Sequence, residues 1–189
     1  MKNRNSKITT LFILALSFMS FTALNEKEVN LEKSKVNWKG YKVTGQHEGT
    51  INLKSGKLTF DGETLTGGSF VIDMPSISTT DLQGEYKGKL DGHLKSADFF
   101  GVEKFPTATL DFINVSGKDG SYKIKANLTI KETTKAVEFS MTVKDNTATA
   151  NLEIDRTEYD IKYGSSSFFD GLKDKAIYDN FDLNVSLTF

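Results

Sequence analysis

The chain alternates. Tyr122, Ile124, Ala126, Leu128 and Ile130 take every second place, with Lys123, Lys125, Asn127 and Thr129 between them. Val137, Phe139, Met141 and Val143 repeat the pattern, as do Ala148, Ala150, Leu152 and Ile154, and Phe181, Leu183, Val185, Leu187 and Phe189 close the chain in the same way. Period two is the mark of a strand with one buried and one wet face. Earlier segments that read as strands are Val36–Val43, Gly49–Leu53, Lys57–Phe60, Ser69–Met74 and Thr107–Val115. Between them lie hairpin connections such as SGKDGS at Ser116–Ser121 and KDN at Lys144–Asn146. Half-wet strands joined by short turns form antiparallel sheets, and a meander of this length closes into a barrel or splits into a sandwich.

One segment breaks the alternation. Over Asp81–Ser96 the residues Leu82, Tyr86, Leu90 and Leu94 recur every four positions and predict a helix with one apolar stripe, His93 beside it. Thr80 and Gln83 are placed for a capping box. Gly84, Gly88 and Gly92 fall on the other side, each costing about 1 kcal/mol against alanine. Such a helix must be held by packing, across a barrel mouth or flank.

The first residues belong to a different pattern. Lys2, Arg4 and Lys7 precede the uncharged run Leu11–Leu24, and polar NEKE follows. This reads as a secretory signal peptide over residues 1–23, cleaved near Thr22 or Ala23, with one domain over 24–189. An uncleaved anchor is the alternative, although the run is short for a span of about 20 residues. Without those three cations, Lys+Arg falls from 24 to 21 against 25 Asp+Glu, a formal charge near −4. An acidic balance argues against nucleic-acid binding. There is no cysteine, which excludes disulfides, thiolate metal sites, cysteine nucleophiles and a cysteine-linked lipid anchor.

Chemistry-bearing residues are few. His47 and His93 are too sparse to define a metal site. His93 with Asp98 and Glu103 would make an acid–base cluster, but no nucleophile motif or phosphate loop accompanies them, and a half-buried histidine bonded to loop backbone is the plainer reading. Arg156 stands among Asp155, Glu158 and Asp160 as a paired structural arginine, with ligand contact the alternative. The sequons at Asn114, Asn127 and Asn184 fall inside predicted strands.

The stretch HLKSADFFGVEKFP, His93–Pro106, resembles a signature of the YceI-like family of secreted lipid-binding proteins, His-Leu-x-Ser-x-Asp-Phe-Phe-x-Val-x-x-aromatic-Pro. VNWKGYKVTGQHEGTI at Val36–Ile51, ANLTIKETTKAV at Ala126–Val137, IDRTEYDI at Ile154–Ile161 and FFDGLKDKAIYDNFDLNVSL at Phe168–Leu187 match that family in order and spacing. Gly101 replaces a common acidic residue, and Ala126 a common glycine. The resemblance implies a mainly β fold, an extended antiparallel lipocalin-like barrel of about eight strands with one short helix beside it. It implies an elongated apolar lumen for a long-chain lipid, such as a polyisoprenoid or isoprenoid quinone, with no other cofactor and no catalytic residue carried over. The lumen-facing candidates are Trp38, Phe99, Phe100, Phe105, Tyr122, Ile124, Leu128, Val137, Phe139, Met141, Leu152, Leu183 and Val185. His93, Asp98 and Pro106 are expected to form the junction that seats the helix. Two functions stay open at this point: periplasmic or secreted carriage of a lipid, and an enzyme acting on such a lipid with His93 and Asp98 as acid and base. Transient membrane contact is compatible with such cargo, and dimerisation is an open question.

Overall fold

The computed structural model describes residues 24–189; the predicted signal peptide lies outside the described residues. Among the described residues, nine strands and one α-helix follow in the order β1 (Asn25–Glu28), β2 (Lys35–Lys42), β3 (Gly45–Asp61), β4 (Thr64–Thr79), α1 (Gly84–Lys95), β5 (Thr107–Lys118), β6 (Ser121–Ile130), β7 (Thr133–Lys144), β8 (Thr147–Asp155) and β9 (Ile177–Thr188). Every pairing is antiparallel. Strands β2 to β9 form a closed eight-stranded barrel in the order β3-β2-β9-β8-β7-β6-β5-β4, with β4 returning to β3. β1 is an appendage that continues the line of β2 along the far half of β3.

The predicted Gly49–Leu53 and Lys57–Phe60 are one 17-residue strand, β3, and Ser69–Met74 is the middle of the 16-residue β4. Such strands reach roughly 50 Å, so the barrel is elongated. Register shifts between Thr50 and Asn52, and between Leu53 and Ser55, break the apparent alternation without ending the strand. β6 and β8 keep strict alternation and bury every second residue. The sequon residues Asn114, Asn127 and Asn184 lie within β5, β6 and β9.

The helix departs from the predicted stripe. It starts at Gly84, whose φ of +58° is a left-handed conformation that glycine reaches without strain. Gln83 is the N-cap and makes no side-chain cap bond, so the capping box does not form. Leu94 is buried and Leu90 packs against the core, but Tyr86 is 73% exposed. Polar contacts hold the helix instead. The Asp91 carboxylate accepts from the Thr79 backbone N–H (2.7 Å), the Ser78 hydroxyl (3.2 Å) and Lys87 Nζ (2.9 Å). Lys87 also donates to the Thr79 carbonyl. Burial alone would raise the Asp91 carboxyl, but the Thr79 N–H, Lys87 and Ser78 outweigh it and bring the group down to about 2.

A carboxyl depressed in the folded state contributes stability above its unfolded value near 4 and loses it as the pH falls towards 2. Asp91 should therefore add about 2 kcal/mol at neutral pH that fades across that interval. Asp91→Asn is expected to flatten the acid limb of the stability curve, read as urea midpoint against pH. Parallel limbs in the two proteins would show that Asp91 does not anchor the helix.

Candidate functional site

The barrel interior changes character along its axis. Towards the helix end, inward side chains leave an apolar cavity of about 170 Å³. Its walls are mainly aliphatic, with Trp38, Phe70 and Phe181 among them: Val36, Ile51 and Leu53 from β2 and β3, Ile72 and Ile77 from β4, Leu110 from β5, Leu128 and Ile130 from β6, and Leu152, Leu183 and Val185 from β8 and β9. Leu94 from the helix and the Phe99–Phe100 pair cover it. Leu183 and Val185 face inward yet are only half-buried, because the cavity leaves part of their surface uncovered. The cavity reaches the surface beside Tyr178, which lines it while remaining 54% exposed. There the β2–β9 ladder jumps from the Gly40–Phe181 pair to the Lys42–Ile177 pair.

Seven of the thirteen lumen candidates meet at this cavity: Trp38, Phe99, Phe100, Leu128, Leu152, Leu183 and Val185. The Trp38 indole N–H donates to the Thr50 carbonyl (3.3 Å), and its ring occupies the space left by Gly49, where a Cβ would lie 2.6 Å from the ring. Six candidates do not line it. Tyr122, Ile124, Phe139 and Met141 point inward but lie at the opposite end, where side chains fill the barrel. There the Tyr122 hydroxyl accepts from the Leu65 N–H (3.2 Å). Val137 packs against the core outside the cavity. Phe105 is half-buried beside Gly101, with the Lys104 ammonium 4.7 Å from its ring centre. Face alternation tells which residues point inward and not how deep they sit.

The helix–barrel junction is aromatic. The His93 ring packs on Tyr163 (4.4 Å between centroids) and Phe99 (5.6 Å). Its Nε2 is buried without a partner, so the expected bond to loop backbone is not made by that atom. Asp98 and Glu103 are exposed, so no acid–base cluster forms around that nitrogen. Pro106 is exposed, and its carbonyl accepts from the Met74 N–H (3.1 Å), tying the junction to β4. Gly101, with φ +57°, takes the left-handed turn after the Phe pair, and its N–H bonds the Ser96 carbonyl (2.7 Å). His47 pairs with Asp81 (2.8 Å). Among the described residues, no three His, Cys, Asp or Glu side chains converge as a metal site would require.

Arg156 is almost fully buried and is structural, with different partners from those predicted. Its guanidinium donates to the carbonyls of Ile161 (2.7 Å), Ile177 (3.0 Å) and Tyr178 (3.1 Å). The nearest acid is Asp179 at 3.6 Å, not Asp155, Glu158 or Asp160. Burial pushes the guanidinium down from its ordinary value, while Asp179 and Asp155 oppose the shift. The fork pins the 3-10 turn Arg156–Tyr159 to the start of β9 at the cavity rim. Cavity residues outside the predicted strands include Ile77, beyond Ser69–Met74 in β4, and Ile177, at a strand start with no pattern yet.

A closed antiparallel barrel with a mainly apolar cavity and a helix across one end is an architecture wide enough to enclose one small apolar ligand. The chain belongs to the YceI-like domain family, which matches residues 28–189. A UPF0312 protein of Vibrio cholerae is 30% identical over 104 residues, 54% of this chain and 51% of that protein. The chain thus spans about half the length of the curated relatives it matches. Burkholderia cenocepacia BcnA superposes with TM-score 0.67 at 20% identity, covering 85% of this chain and 99% of BcnA. A polyisoprenoid binding domain from Saccharophagus degradans, implicated in plant cell wall breakdown, gives 0.62 at 16%, covering 87% and 97%. At such identities the two solved structures establish the shared fold.

The buried fork predicts that Arg156→Lys, which keeps charge but loses planar multidentate donation, lowers unfolding free energy by about 2–4 kcal/mol. Urea denaturation checks this. An unchanged midpoint would mean the three carbonyls find other donors.

Proposed function

We propose that the protein binds and carries a long-chain apolar lipid, a polyisoprenoid, isoprenoid quinone or similar, in the cavity at the helix end of the barrel, without catalysing a reaction on it. The observation that carries this reading is the cavity's lining of aliphatic and aromatic side chains, with Tyr41, Tyr178, Asn180 and the engaged Trp38 and Arg156 as the side chains bearing polar N or O atoms. Each methylene transferred from water into such a space gains about 0.8 kcal/mol, so affinity comes from length and not from polar recognition. The polyisoprenoid binding domain from Saccharophagus degradans, which shares the fold, supports this ligand class. The exported setting inferred from the signal peptide fits a carrier that works outside the cytoplasm.

The rim supports an encounter with membranes. Val43, Phe168, Phe169 and Tyr178 are each about half exposed, and Val43 is held there by its N–H on the Ala176 carbonyl (3.1 Å). Apolar and aromatic side chains exposed at the entrance to an apolar cavity suit transient contact with a bilayer interface.

Native mass spectrometry of protein purified from its own host should reveal a mass adduct that organic extraction removes and identifies as lipid. Leu183→Trp, which fills the cavity, should keep the fold and lose the adduct. Lipid-free protein from the host that also fails to take up a hydrophobic dye would refute the reading. Export is tested separately: the exported form should begin between about residues 20 and 27, and an intact Met1 in washed membranes would contradict it.

A further inference from the structure

The cavity ends abruptly, and the place where it ends is built from identifiable residues. On β5 and β6, Leu110 lies opposite Leu128, and both line the cavity. The next inward pair towards the packed end is Phe112 opposite Ala126, and neither lines it. The Phe112 ring is partly buried, 5.7 Å from the ring of Phe70, which does line the cavity, and 5.9 Å from that of Phe139. Beneath it Ile124 and Met141 are buried.

Two strand glycines make room for this layer. A Cβ on Gly68 would lie 2.9 Å from the Phe112 ring and 3.1 Å from Leu58. One on Gly56 would lie 2.7 Å from the ring of Phe70. Glycine in a strand interior weakens the strand, and it recurs where another group must approach the backbone closely. Here the approaching groups are two rings of one aromatic layer.

We propose that the aromatic layer of Phe70, which lines the cavity, and Phe112, seated on Gly68 behind it and against Phe139, is the floor of the cavity and sets the length of apolar chain the protein accommodates. This rests on the lipid-binding reading and adds a selectivity to it. A chain entering beside Tyr178 is desolvated carbon by carbon until its tail meets Phe70 and Phe112. Additional carbons then stay outside. The ligand class is therefore an apolar chain of bounded buried length, with the remainder of the molecule at or beyond the rim.

The test uses the delipidated mature protein and displacement of the dye 1-aminoanthracene by straight-chain primary alcohols from hexanol to hexadecanol. For the wild type, affinity should rise about fourfold per methylene and then level off at a definite length. Phe112→Ala should move that break to a longer alcohol. Leu110→Trp, one layer above the floor, should move it to a shorter one, and it decides the matter alone if Phe112→Ala does not fold. An unbroken rise through the whole series, or the same break in folded variants, overturns the floor and leaves lipid binding standing. Failure of every alcohol to displace a dye that does bind, or of the dye to bind at all, removes the lipid-binding reading and this inference with it.

Discussion

The pairing of β3 with β4 closes the sheet on itself, and the interior depends on that closure. The ladder runs from Gly49–Thr79 to Asp61–Thr64 and is shaped by three register shifts. Bulges of this kind bend and twist a sheet, and a bent sheet can meet its own far edge. Without the β3–β4 ladder, the inward rows of all eight strands would face water on one side of an open sheet. Closure also leaves the barrel strands without a long free edge, which removes the usual aggregation hazard of a β protein.

An eight-stranded barrel has an interior just wide enough either to pack or to hold one small ligand. This chain does both in sequence along its axis. In the far half, Leu58, Ala126 and Ala148 are completely buried and Leu65 and Ile124 nearly so, which is the density of a true core. The helix half gives up that packing, and its inward leucines and valines keep uncovered surface. Polar anchors compensate at the rim. Asp91 with Lys87 fixes the helix to β4, and the Arg156 fork fixes the 3-10 turn to β9. The packed half therefore carries stability, and the anchored half can remain hollow.

How much of this could be read from the chain varies by element. β6 and β8 were legible because their alternation is unbroken. β3 and β4 show in the sequence only as fragments because bulges shift which residues face inward midway along a strand. β1, the sequence NEKE, carries no apolar pattern and is held by its pairing along β3. In the helix, spacing by four placed Tyr86 on the buried face, whereas the Asp91 and Lys87 contacts rotate the helix to leave it outside. The lumen candidates divide for a related reason. Tyr122 and Leu128 share a face of β6, and only the cross-strand register places one in the packed half and the other at the cavity. The seven that meet there come from β2, β6, β8, β9 and the Phe99–Phe100 turn, a convergence that closure alone produces.

The most direct measurement of this divided interior is a methyl NOE experiment on the protein holding a bound alkyl chain. A divided interior should give intermolecular contacts from the chain to the methyl groups of Leu128, Leu152 and Leu183, and none to those of Ile124 and Met141. Contacts to Ile124 or Met141 would contradict the division between packed and hollow halves, and the absence of contacts to all five would contradict the cavity as the binding site.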